Sequence, residues 1–68
     1  MPDTSIRFDP VEVVRDSGLA FLCRIDGRHV WVPKAQMLSG TRLIRPGDRG
    51  PLVVPEWFAA DQGLIRDA

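Results

Sequence analysis

The clearest pattern of hydrophobic and polar positions surrounds an Asp-Gly pair in the middle of the chain. Apolar side chains alternate with other residues over positions 19–25 and again over 28–32, with Asp26-Gly27 between the two runs. Asp-Gly in this setting is typical of a two-residue type I′ hairpin, whose twist matches that of its strands. The pattern therefore predicts two antiparallel strands joined by a tight turn.

The length of this turn also predicts which face of the hairpin each residue occupies. With a two-residue loop, Ile25 pairs with Arg28 and the other pairs follow by alternation. One face is then expected to enter the core, and it carries Phe21, Cys23, Ile25, Val30 and Val32. The alternation over positions 19–25 places Leu19 on the same side as Phe21. The other face carries Leu22, Arg24, His29 and Trp31. Trp31 is thus expected to point away from the main core.

Turn residues divide the rest of the chain into further short strands. One strand runs through Val11 and Val13 to an Asp-Ser-Gly turn at 16–18. Residues 41–45 and 50–54 are expected to form two more, separated by a Pro-Gly-Asp turn. About five short strands at this spacing favour a mainly β fold, a small antiparallel barrel or curled meander of the SH3-like or OB-like kind.

The period changes to that of a helix near the C-terminus. Residues 56–64 are expected to form a short helix, with Gly63 placed to cap its end. Because a helix of two turns is unstable alone, Trp57, Phe58 and Leu64 are expected to pack on other elements.

The chain length allows one domain. Residues 10–68 are predicted to form a single small β-rich domain, preceded by residues 1–9 as an extended or partly disordered N-terminus that Ile6 and Phe8 can hold in place. A chain of 68 residues buries only about 60% of the surface that its unfolded form exposes, so its stability margin is thin. Regular packing or self-association is expected to compensate.

Few residues in the chain carry reactive chemistry. Cys23 is the single cysteine and His29 the single histidine, which excludes an internal disulfide and leaves too few ligands for a Cys/His metal site. Their side chains are expected on opposite faces of the hairpin, so they form no catalytic pair. Ser17 and Ser39 lie in turns without a candidate base, and the Pro-Gly-Asp-Arg-Gly stretch lacks the spacing of a phosphate loop. We expect no enzyme, no cofactor, no metal and no small-molecule substrate.

The sequence also indicates a compartment. The first ten residues lack the basic start and apolar stretch of a signal peptide, and the longest apolar runs fall far short of the ~20 residues that a membrane helix needs. A cytoplasmic protein with a reduced Cys23 and no membrane partner is expected.

The charges cancel over the whole chain but are unevenly distributed. Residues 24–49 contain six basic side chains against Asp26 and Asp48, a local charge of +4, and the segments on either side are both acidic. This distribution favours a basic face for a polyanion or an acidic partner. The alternative is that scattered arginines reflect base composition and lie on solvated surfaces. The candidate binding residues are Arg24, Arg28, His29, Trp31, Lys34, Arg42, Arg45 and Arg49.

Trp31 has two interpretations. In one, the C-terminal helix covers it through Trp57 or Phe58, and this burial is favoured because so short a chain can hardly leave a tryptophan out of its core. In the other, Trp31 stays partly exposed near Arg24, His29 and Lys34 as a stacking platform edged by positive charge.

Two functions from different classes follow. The first is a non-enzymatic module that binds single-stranded nucleic acid, with Trp31 stacking on bases and the basic side chains neutralising phosphates. The alternative is a protein-interaction or homo-oligomeric assembly module that uses Leu22, Trp31 and the C-terminal helix.

Two short motifs resemble a known pattern. They consist of Trp31, Val32, Pro33, Lys34, Ala35 and Gln36, and of Val54, Pro55, Trp57, Phe58, Ala59, Gly63 and Leu64. The two motifs are similar to a pattern found in short, largely uncharacterised bacterial and phage proteins. Those proteins have a W-(V/I)-P-K-(S/A)-Q hairpin and an (I/V)-P-x-W-(F/L)-A-x-x-x-G-L helix. The resemblance covers about residues 19–64 and implies a shared small β-rich fold, with no activity to carry over. Ala35 stands where that pattern often has Ser.

Overall fold

The computed structural model describes residues 4–65, which form one antiparallel sheet with a short helix packed against it. The strands are β1 (Ser5–Asp16), β2 (Ala20–Ile25), β3 (Arg28–Pro33) and β4 (Arg49–Pro55). A 3₁₀ turn (Lys34–Gln36) follows β3, and helix α1 (Glu56–Asp61) follows β4. Across the described residues the strand order is β3-β2-β1-β4. The mainly β fold is confirmed, but the sheet is open, with β3 and β4 at its two edges.

The hairpin between β2 and β3 has the predicted geometry. Asp26 and Gly27 adopt φ angles of 51° and 78°, the two positive values that a type I′ turn requires. Ile25 pairs with Arg28, and the register continues unchanged to the pair of Ala20 with Pro33. The predicted faces of the residues between these pairs are therefore confirmed.

The core lies on one face of the sheet, between the strands and α1. Its buried members are Val11, Val13, Phe21, Cys23, Ile25, Val30, Val32, Leu43, Leu52, Val54, Phe58 and Ala59. Leu19, which the alternation over positions 19–25 placed on the same side as Phe21, does not share this burial, because its side chain is 85% exposed. β2 begins only at Ala20, so Leu19 lies in the preceding turn and is outside the alternation of the strand.

The first strand is longer than the sequence indicated. The stretch from Ser5 to Phe8 pairs with β4, and the later part of β1 lies between β4 and β2. Ile6 and Phe8 pack against the core, in line with the expectation that they hold this extended segment. The disorder expected within residues 1–9 concerns in part residues 1–3, which lie outside the described residues.

The predicted strand at 41–45 is wrong, and with it the fifth strand and the closed barrel. The carboxylate of Asp48 accepts the backbone N–H groups of Ile44 at 2.8 Å and Arg45 at 3.1 Å, which draws both residues into a turn. They are then not available for a ladder. In the described part of the chain, residues 38–42 instead follow the outer edge of β4 as an irregular segment.

Four hydrogen bonds attach this irregular segment to β4. Leu38 donates its backbone N–H to the carbonyl of Val53 at 2.8 Å, and Arg42 donates to the carbonyl of Pro51 at 3.0 Å. The hydroxyl of Thr41 accepts the N–H of Val53 at 2.9 Å and donates to its carbonyl at 3.2 Å. The edge of β4 is therefore occupied by the protein's own chain.

The C-terminal helix is confirmed, and so is its glycine cap. Gly63 has a φ of 72° and donates its N–H to the carbonyl of Ala60, while Leu64 donates to Ala59, the pair of bonds of a Schellman motif. The expectation that Trp57 packs into the core is wrong, because it is 61% exposed. The one buried side of so short a helix is formed by Phe58 and Ala59.

Candidate binding face

The strand register brings seven side chains together on the face of the sheet opposite the core. We call this surface the outer face, and it is formed by Glu12, Arg15, Leu22, Arg24, His29, Trp31 and Arg49. Directly paired residues of antiparallel strands share a face, so these side chains stand in two rows across the sheet. One row is His29, Arg24, Glu12, Arg49, and the other is Trp31, Leu22, Arg15.

Trp31 is the aromatic residue of this surface. It is 47% exposed, and its direct neighbour on β2 is the half-buried Leu22. Because α1 packs on the core face through Phe58 and Ala59, it does not cover Trp31. The interpretation in which the helix buries this tryptophan is therefore wrong, and nearly half of its side chain remains open to solvent.

A single carboxylate separates two arginines in the first row. Glu12 lies opposite Arg24 on one side and opposite Arg49 on the other. The guanidinium of Arg24 donates to Glu12 Oε1 at 2.6 Å, whereas Arg49 makes no ion pair within residues 4–65. An ion pair this exposed is worth about 0–1 kcal/mol, so an incoming anion can compete for Arg24.

A shallow depression of about 230 Å³ lies on the outer face near the hairpin tip. It is lined by Pro10, Glu12, Arg24, Asp26, Gly27 and Arg49. Two arginines there are balanced by two carboxylates, Glu12 and Asp26. Over the seven residues of the outer face, three arginines stand against Glu12, so this surface carries a net positive charge. The depression is smaller than the pockets that typically enclose a small-molecule ligand.

Arg28 and Lys34 do not belong to the outer face. Arg28 donates from Nη1 to the carbonyl of Gly63 at 2.7 Å and from Nη2 to that of Gln62 at 3.4 Å, which ties β3 to the end of the helix. Its pairing partner is the buried Ile25, which places it on the core side. Arg28 thus has a structural role in this arrangement.

Lys34 is held at the end of the sheet by two partners. Its Nζ lies 4.7 Å from the centre of the Phe21 ring and 2.9 Å from Asp16 Oδ1. The backbone N–H of Gly18 lowers the pKa of Asp16, and Lys34 lowers it further. The ammonium of Lys34 is therefore committed to the turn between β1 and β2.

The two remaining candidates lie beside β4. Arg42 and Arg45 are exposed in the irregular segment between the 3₁₀ turn and β4, and neither belongs to the strand pairs that form the two rows of the outer face. The N–H groups that Asp48 accepts from Ile44 and Arg45 lower the pKa of its carboxyl. The outer face thus unites four of the eight candidates, Arg24, His29, Trp31 and Arg49.

Sequence reasoning missed two members of the outer face, Glu12 and Arg15. The alternation of Val11 and Val13 carried the signal for Glu12, since the residue between two core positions of a strand must face the other way. Arg15 had no such signal. A shift in register between Val13 and Arg15 brings it opposite Leu22, and this shift depends on pairing with β2.

The titratable groups supply little chemistry. Cys23 is fully buried in the core, and this burial raises the pKa of its thiol to about 11, so it is protonated and inert at neutral pH. His29 lies on the opposite face of the hairpin. Within the described range, 4–65, no three His, Cys, Asp or Glu side chains come close enough to hold a metal ion.

None of the helical structure described for residues 4–65 is both long and apolar enough to span a membrane. Comparison of the chain with protein-family models, with curated proteins and with solved structures found no match. The interpretation of the outer face therefore depends on its geometry and chemistry.

Proposed function

We propose that this protein is a non-enzymatic binding module and that its outer face engages single-stranded nucleic acid. The observation that supports this most directly is the half-exposed Trp31 beside three arginines on one surface of a sheet. A base can stack on the open side of the indole, and Arg24, Arg49 and Arg15 can neutralise the phosphates of a strand that crosses the sheet. The contacts are independent of base identity, so we expect little sequence preference.

The size of the surface suits a short stretch of a single strand. Neighbouring strands lie about 4.8 Å apart, so the four residues of the row from His29 to Arg49 extend over roughly 14 Å. This length corresponds to two or three nucleotides. Each phosphate engaged is expected to contribute about 0.7 to the slope of log affinity against log salt concentration. Three arginines would therefore give a slope of about 2.

The test is a titration of fluorescently labelled single-stranded DNA and RNA over a series of salt concentrations. Stacking is worth about 1–3 kcal/mol per base, so Trp31→Ala is expected to weaken binding by roughly 5- to 150-fold. Trp57→Ala is the matched control, because Trp57 is also exposed but lies on α1, on the other side of the sheet. Absence of binding at low salt, or equal loss in both variants, would end this proposal.

The second candidate function is a protein-interaction or homo-oligomeric assembly module. It was expected to use Leu22, Trp31 and α1 as one surface, but the outer face and the helix lie on opposite sides of the sheet. A protein partner that contacts Trp31 would therefore not reach the helix at the same time. Exposed apolar side chains such as Leu19, Ile44 and Trp57 support protein contacts elsewhere on the molecule. Sedimentation with and without nucleic acid separates the two functions.

As a further part of this proposal, we place the protein in the cytoplasm. The single cysteine is buried as a free thiol, and the fold requires no disulfide. A reducing compartment suits such a protein.

A further inference from the structure

The two edges of the sheet are treated differently. The segment 38–42 hydrogen-bonds along β4, as described above, whereas β3 is the last strand on the other side. Sheet edges with unpaired backbone groups readily pair with another strand unless they are short, bulged, charged or covered. The register of β3 with β2 is regular over all six of its residues, so no bulge disrupts this edge.

The hairpin geometry identifies which backbone groups are open. In a two-residue hairpin the residues next to the turn, Ile25 and Arg28, exchange hydrogen bonds, and such pairs recur at every second residue. The backbone N–H and C=O groups of β3 that point towards β2 are therefore those of Arg28, Val30 and Val32. Consistent with this alternation, Lys34 donates its N–H to the carbonyl of Leu19 at 2.9 Å.

The N–H and C=O groups of His29 and Trp31 consequently point away from β2. Within residues 4–65, no turn, loop or cap hydrogen bond uses any of these four groups. They form a short, regular row of two donors and two acceptors at the open edge. Pro33, at the end of the strand, offers a carbonyl but no donor.

We propose that the open edge of β3 pairs with β3 of a second copy of this chain. An antiparallel arrangement with its two-fold axis at Val30 places His29 opposite Trp31 of the other copy, and Trp31 opposite His29. Each of these pairs exchanges two hydrogen bonds, so all four outward groups of each copy are satisfied. Moving the axis to Trp31 would set His29 against Pro33, whose missing N–H leaves a carbonyl without a partner.

The side chains are compatible with this register. On the outer face, the imidazole of one copy and the indole of the other become direct neighbours. On the core side, Val30 meets Val30 and Arg28 meets Val32 of the other copy, so no like charges stand opposite one another. The guanidinium of Arg28 is already turned towards the carbonyl of Gly63 and does not block the edge.

A second copy is favoured over an unrelated extended peptide because the same edge fits itself without ordering any chain. A free peptide must lose backbone entropy of about 1–2 kcal/mol per residue when it forms a strand, whereas β3 is already held in place. A two-fold axis perpendicular to the sheet also puts both outer faces on the same side. The dimer would therefore present one continuous sheet that carries two copies of the outer face on the same side.

Sedimentation velocity over a range of protein concentrations, without nucleic acid, tests this pairing. An interface of two six-residue strands is small, so we expect a reversible dimer with a Kd on the order of 10–100 μM. His29→Pro removes two of the four intermolecular donors and leaves the ladder to β2 intact, and it is expected to raise the Kd at least about tenfold. His29→Ala, which keeps the N–H, is the matched control and is expected to dimerise like the wild type.

Amide hydrogen exchange on the unmodified protein supplies a second test that needs no variant. The N–H groups of His29 and Trp31 are expected to be protected at high concentration and to exchange rapidly at low concentration, while those of Val30 and Val32 stay protected throughout. A monomer at all concentrations would overturn the proposal. So would a dimer that tolerates His29→Pro, or protection of Trp31 that does not depend on concentration.

Discussion

Glu12 offers the sharpest test of how the outer face binds an anion. It is the acidic member of the two rows, and it holds Arg24 at 2.6 Å while facing Arg49 on its other side. Glu12→Gln keeps the shape of the side chain and removes its charge. Arg24 is then released, and we expect the variant to bind single-stranded nucleic acid more tightly than the wild type.

The expected size of this gain follows from the contacts that change. Arg24 no longer has to break its ion pair with Glu12 before it contacts a phosphate, so the affinity should rise by about 2- to 10-fold at low salt while the log–log salt slope stays close to that of the wild type. The lost ion pair is exposed, so its removal should cost no more than about 0–1 kcal/mol of folding free energy. The variant therefore remains folded under the conditions of the binding assay.

The control is a variant with the same change in net charge elsewhere. Asp61 is exposed in α1, which packs on the core face, so Asp61→Asn raises the charge by the same amount without touching the outer face. Both variants are compared with the wild type by anisotropy titration at about 50 and 200 mM salt. Equal affinities and slopes for the two variants would refute the assignment of the outer face, because the gain would then depend on net charge alone.

Three further predictions concern stability and reactivity. Thr41→Val leaves the N–H of Val53 without its acceptor and should cost about 1–3 kcal/mol in thermal or urea unfolding, whereas Thr41→Ser should cost less. The ionised carboxylate of Asp48 stabilises the fold above its unfolded pKa of 3.8, and this stabilisation is lost as the pH falls through the lower pKa of the folded state. Asp48→Asn should therefore show a smaller decline in melting temperature below about pH 4 than the wild type does. A decline as steep as that of the wild type would contradict this. Cys23 should resist alkylation at pH 8 until the protein unfolds, and the stability from its neutral thiol is expected to be complete below pH 9.0 and lost as the pH rises to about 11; rapid labelling of the native protein would show that the core is open.

The hairpin was predictable from the sequence because its geometry is local. Asp26 and Gly27 favour a two-residue turn. The length of this turn sets the strand register, and the register places Cys23 on one side of the sheet and Trp31 on the other. The cap at Gly63 is local in the same sense, since it depends on a left-handed residue just after a helix. Such features need no knowledge of what the rest of the chain does.

The errors arose where a side-chain hydrogen bond or the tertiary packing overrides the pattern of apolar positions. Residues 41–45 have the composition of a strand, but the carboxylate of Asp48 takes two of their N–H groups and leaves too few for a ladder. Trp57 is large and apolar, yet the packing of α1 on the sheet buries Phe58 instead. In neither case does the local pattern record the competing contact.

The same limit applies to the candidate site. Charge and aromatic character selected eight candidate residues from the sequence. In the folded protein, several of these side chains instead form contacts within the molecule. Lys34 is bound to Asp16 and the Phe21 ring, and Arg28 to the carbonyl of Gly63. The long-range register of β1 then adds Arg15, which no local pattern placed on the outer face.

The covering of β4 by residues 38–42 has a consequence for how many molecules can join. A sheet with both sides free can recruit neighbours indefinitely and grow into a fibre. Here Leu38, Thr41 and Arg42 cover the edge of β4, so β3 is the open edge of the sheet within residues 4–65. The proposed pairing through β3 would use the open edge of both molecules, so we expect it to stop at a dimer and not to extend into a fibre.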